Sequence, residues 1–201
     1  MMDDTRRYIN CMEEVRDRIN LVTTIGARKV TIGTDVFDIE LVFVQLRKVL
    51  ELIAFASLTA NKAKYSAAHA KFAEHWKAKL MLKELEKINP EFYPVPIGQP
   101  QLQANGVKHI PAVTDGFLTK EDFEFLYDKS SDILHVRNPF GDKKPVVQMG
   151  YSVKEWVSRI QVLLGLHMVR LVNGKLWIVQ VPGEGPIHLW PAEPREAPVS
   201  Q

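Results

Sequence analysis

Residues 34–61 read TDVFDIELVFVQLRKVLELIAFASLTAN, and this stretch decides the architecture. It is apolar around most of a helical circumference. The exception is a narrow stripe where Glu40, Arg47 and Glu51 fall at i, i+7 and i+11. A helix that is hydrophobic nearly all round belongs at the buried centre of a bundle. Charges on it must pair with one another or serve a site, because isolated buried charge is costly. Gly33 hands over to Thr34, which is suited to cap the helix.

On the N-terminal side, Tyr8, Ile9, Met12, Val15, Ile19 and Val22 recur at helical spacing and predict an amphipathic helix over 3–25. RKVTI, residues 28–32, is a short strand or an extended link. On the C-terminal side, residues 64–88 predict one long helix with Tyr65, His69, Phe72, Trp76 and Leu80 on its apolar face. Asn89–Pro90 stops it, and Pro94, Pro96 and Pro100 hold the following connector, residues 90–117, extended. Within that connector, Asn105–Gly106 predicts a tight turn before a strand over 107–110. Thr119 with Asp122, and Ser152 with Glu155, are capping-box spacings that open two further helices, ending near 136 and 165. From His167 the period changes to alternation. Residues 167–172 and 175–181 then predict a hairpin around a two-residue Asn173–Gly174 turn, with a third strand over 187–190.

The expected fold is therefore α+β and mainly α. It is a bundle of about five helices over 1–165, a small antiparallel sheet over 166–190 packed on it, and a flexible tail over 191–201. A two-stranded hairpin is marginal alone, so the sheet must pack on the bundle or on a partner.

Composition narrows the functional classes. The formal charge of +2 is too small by itself to imply nucleic-acid binding. Cys11 is the single cysteine, so no internal disulfide forms. The start, MMDDTRRYIN, lacks the apolar core of a signal peptide, and no run approaches a membrane span. A cytoplasmic location without membrane attachment is the expectation. No HExxH or paired-cysteine spacing points to a metal, and no glycine-rich phosphate or dinucleotide motif points to a cofactor. We expect neither.

Three constellations carry chemistry. In the first, Glu40, Arg47 and Glu51 form a polar site in the core, a structural ion-pair network that can include Tyr127, or simply the one solvated edge of the helix. The second is DILHVRNPF, residues 132–140, where His135 suits acid–base work and Arg137 and Asn138 suit phosphate. Helix termination explains the same residues, since His and Arg favour the negative end of the helix dipole and Asn-Pro is a stop. The third is the lysine-rich helix of 62–87, on which Lys64, Lys71, His75 and Lys79 form a face that suits nucleic acid or simple solvation.

Two segments, QLRKVLELIA (45–54) and LHVRNPF (134–140), resemble bacterial helical proteins of unassigned role that share this charged helix and turn. More distantly, the layout is similar to HEPN-type helical domains, often metal-independent ribonucleases of toxin and antiphage systems that act as dimers. The family's arginine, four to six residues and histidine on one helix is absent. Arg159 and His167 are separated by seven residues, and His135 precedes Arg137. What the resemblance implies is a bacterial defence, toxin–antitoxin or mobile-element setting with a protein partner or a homodimer. A non-enzymatic interaction protein is the leading expectation. The alternative is a ribonuclease in which His135, Arg137, Arg47 and Glu51 act together on RNA.

Overall fold

Two long antiparallel helices form the spine. The computed structural model describes residues 3–68, 78–104, 106, 108–135 and 147–193. Helix α1 (Asp4–Gly26) buries Tyr8, Met12, Val15, Ile19, Val22 and Ile25, the stripe that its spacing predicts. Helix α2 (Asp35–Ala60) packs along it, and Thr34 accepts the Phe37 backbone N–H at its start. The segment between them is a link and not a strand. It is held by Ile32 N–H donating to Asp38 at 2.8 Å and by Lys29 N–H donating to the Thr24 carbonyl at 3.1 Å.

The central-helix reading holds for only part of α2. From Val42 onward its apolar side chains enter the core shared with α4 (Ala78–Ile88), α5 (Lys120–Leu134) and α6 (Val153–Gly165). Its first two turns project beyond its neighbours, leaving Val36, Phe37 and Ile39 exposed. Amphipathic periodicity records which face is apolar, but not where the neighbouring helix ends.

The long helix expected over 64–88 is described at its two ends. These are α3 (Lys62–Ala68), which carries the buried Tyr65, and α4. Both capping boxes form, Thr119 with Asp122 on α5 and Ser152 with Glu155 on α6. Six helices are thus present among the described residues, and with the small antiparallel sheet they make the mainly α, α+β fold that the sequence predicts.

The Pro-rich connector supplies strands β1 (Val95–Pro96), β2 (Gln101–Leu102) and β3 (Lys108–His109). Strands β2 and β3 pair with each other, as the Asn-Gly turn predicts. Helix α6 leads directly into β4 (Leu166–Arg170), followed by β5 (Leu176–Gln180) and β6 (His188–Ala192). The antiparallel sheet has the order β1-β4-β5-β6, so the connector adds an edge strand to the C-terminal hairpin. The β4–β5 turn is longer than two residues. Leu171 N–H donates to the Lys175 carbonyl at 2.8 Å, enclosing three residues with Gly174 at φ 81°.

One sheet face, with His167, Val169, Trp177 and Val179, is buried against the bundle. Two polar devices lock this junction. Tyr8 and the imidazole Nε2 of His167 lie 2.7 Å apart inside the core, and His167 Nδ1 lies 2.8 Å from the Leu164 carbonyl. Asn89 donates to Asn61 at 2.8 Å and to the Arg170 carbonyl at 2.9 Å, while Asn61 donates to the Ser57 carbonyl. Fully buried polar groups of this kind must be paired, and these are.

Candidate functional site

Arg47 projects from the middle of α2 toward α5. The two helices meet there because Leu46, Leu50, Phe123 and Leu126 are buried in one core. The guanidinium lies 3.3 Å from the Glu51 carboxylate, one turn along α2. It also donates to the Tyr127 hydroxyl at 2.7 Å and to the Ser131 hydroxyl, and it sits 4.0 Å from the Tyr127 ring centroid. Tyr127 in turn donates to Glu51 at 3.5 Å. Burial raises the Tyr127 pKa, the Arg47 charge counters this, and Glu51 adds to it. The phenol therefore stays protonated, and it serves as a link and not as a base.

The structure joins three of the four residues expected in the polar network and adds Ser131. Glu40 is not among them. It lies two turns earlier on the projecting end of α2, exposed, and makes no ion pair among the described residues. His135 caps the C-terminus of α5, one turn beyond Ser131, and is exposed with extended backbone. No side-chain hydrogen bond or ion pair joins it to Arg47 among the described residues. Arg137 and Asn138 lie outside the described residues, as do Lys71 and His75.

The lysine face is partly committed elsewhere. Lys79 lies 2.6 Å from Asp128 and 3.5 Å from Glu124 on α5, and its pKa is raised chiefly by the hydrogen bond to Asp128. Lys62 pairs with Asp4 and Lys87 with Glu84. Lys64 is exposed. Among the described residues, no three His, Cys, Asp or Glu side chains are grouped to hold a metal, and no helix is long and apolar enough to cross a membrane.

Two buried or half-buried pairs escaped the sequence reading. One is the Tyr8–His167 link. The other is Arg159, which donates to Asp122 at 2.6 and 3.1 Å and stacks 4.5 Å from the Tyr151 ring centroid. The Thr119 spacing marked Asp122 only as a cap.

The most distinctive surface is a corner no motif marked. Val30 and Ile32 on the link, with Val36, Phe37 and Ile39 on α2, are 47 to 61 % exposed. Beside them runs a groove of about 320 Å³ lined by Ile25, Asp38, Ile39, Val42, Phe43 and Val153. Five large apolar side chains exposed within ten residues are the kind of concentration that marks interaction sites on single domains. A second apolar row, Val95–Met168–Ile178–Trp190, crosses the outer face of the sheet in register. Val95 and Trp190 at its ends are exposed, and Met168 and Ile178 between them are half-buried.

No family model, curated protein or solved structure matches the chain.

Proposed function

We propose that the protein works by binding another protein through the apolar corner of residues 30–39. The observation that carries this reading is the exposure of Val30, Ile32, Val36, Phe37 and Ile39 on a backbone held by specific hydrogen bonds. Large apolar groups kept in water on a fixed scaffold are suited to burial against a partner at little ordering cost. A defence, toxin–antitoxin or mobile-element setting, which the resemblance implies, fits such a role.

Against the ribonuclease alternative stands the occupation of Arg47. Its guanidinium already serves Glu51, Tyr127 and Ser131, so holding a scissile phosphate would mean breaking those bonds.

The test is co-purification under mild conditions, comparing the wild type with Val36→Glu and Ile39→Glu. A specific protein retained by the wild type and lost by both variants supports the reading. Equal retention by all three overturns it.

A further inference from the structure

We propose that the groove between α1, α6 and the β5–β6 loop binds a small carboxylic acid with an apolar body, and that Arg16 holds its carboxylate. No residue lining this groove belongs to the 30–39 corner or to the Arg47 network, so neither reading depends on the other.

The groove encloses about 260 Å³. Ligand pockets run from roughly 300 to 1,000 Å³, so this one is sized for a small molecule. Its floor is apolar and comes from two helices, Val15 and Ile19 on α1 and Ile160 and Leu164 on α6. Its polar side chains are Arg16, Asn20 and Gln161, and Arg16 carries the one charge in the lining. A few convergent polar groups over an apolar floor are the usual make-up of a ligand site.

Arg16 is half-buried and already fixed in place. Its Nη1 donates to the Gly185 carbonyl at 2.6 Å and to the Pro182 carbonyl at 3.4 Å, clasping the β5–β6 loop. Both acceptors are neutral, so the charge is left unbalanced. Arg7, Arg18, Arg28, Arg47, Arg159 and Arg170 each pair with an Asp or Glu, whereas Arg16 makes no ion pair among the described residues. Its Nε and Nη2 have no acceptor among those residues either. That edge of a guanidinium is the fork that takes a carboxylate through two parallel N–H···O bonds. Asn20, one turn along α1 from Arg16, and Gln161 on α6 bring side-chain amides to the same groove. One cation beside neutral amides matches a monoanion, and an apolar body on that anion covers the floor. A phosphate dianion would leave one of its charges unmatched.

Titration of the ¹⁵N-labelled full chain with phenylacetate and hexanoate, followed by nuclear magnetic resonance, tests the proposal. Phenylacetamide and hexanamide are the uncharged counterparts. Either or both acids shift the signals of the Arg16 Nε–H, the Asn20 and Gln161 side-chain amides and the Gly183 backbone. The dissociation constant is about 1 mM or tighter, as about ten non-hydrogen atoms allow. The amides bind about tenfold more weakly or worse, because the charge-assisted bonds are gone. Arg16→Met weakens the acids by a similar factor, and Arg16→Lys, which keeps the charge and loses the fork, falls between. Circular dichroism checks that both variants fold, and the comparison of acid with amide needs no variant at all. No shift at these groups from either acid by about 20 mM, equal binding of acid and amide, or unchanged affinity in Arg16→Met overturns the proposal.

Discussion

Tyr8 and His167, 159 positions apart in the chain, meet inside the core at 2.7 Å and join the first helix to the sheet. Burial lowers the His167 pKa to about 4, although its contact with the Leu164 carbonyl works the other way. The ring is therefore neutral. Its Nδ1–H donates to Leu164, and its Nε2 accepts from the Tyr8 hydroxyl.

This pair makes stability depend on acidity. In the unfolded chain the imidazole titrates near its ordinary 6.5, while in the fold it stays neutral down to about 4. Between those values the unfolded state binds more protons. His167 thus favours the fold fully above about pH 6.5, and that contribution is lost as pH falls toward 4, by about 3 kcal/mol in all. Urea unfolding at stepped pH checks this. Tyr8→Phe removes the donor to Nε2 and costs about 1–3 kcal/mol at neutral pH.

Arg47 is predicted to act on stability. Arg47→Ala and Tyr127→Phe each cost about 1–2 kcal/mol, because each breaks hydrogen bonds at a half-buried helix contact. The two are coupled through one bond, so the double variant costs less than the sum of the singles by about 0.5 kcal/mol or more. Denaturant melts of the four proteins measure it. Additive losses would mean that the guanidinium–phenol bond contributes nothing.

Two phenylalanines six positions apart on α2 should behave as opposites. Phe37 is 53 % exposed and Phe43 is 4 % exposed. Phe43→Ala costs about 3–5 kcal/mol by opening the core, and Phe37→Ser changes monomer stability by no more than about 0.5 kcal/mol. Thermal melts of dilute protein distinguish them. A large loss at Phe37 would show that the corner belongs to the core.

Strongly periodic segments and paired caps were legible in the sequence. Tyr8 to Val22 on α1, the Thr119–Asp122 and Ser152–Glu155 boxes, and the alternation after His167 all carry local signals that survive folding. What escaped depends on tertiary distance. Glu40 shares a stripe with Arg47 along α2, but α5 reaches only as far as Arg47 and Glu51, so the network stops there. Ser131 and the Tyr8–His167 pair have no local marker, since their partners lie 84 and 159 residues away. The α2 part of the exposed corner was hidden inside the most hydrophobic stretch of the chain. Its apolar pattern is the same whether the helix continues under its neighbours or beyond them.

The claim that residues 30–39 are the working surface is tested most directly by photo-crosslinking in cells. A photoreactive residue is placed at Phe37, at Trp190 on the outer sheet face, or at the exposed Glu184 in the β5–β6 loop. The account predicts a discrete protein adduct from position 37, abolished by Ile39→Glu, and none of comparable yield from 184 or 190. An adduct from position 190 with none from 37 would contradict it.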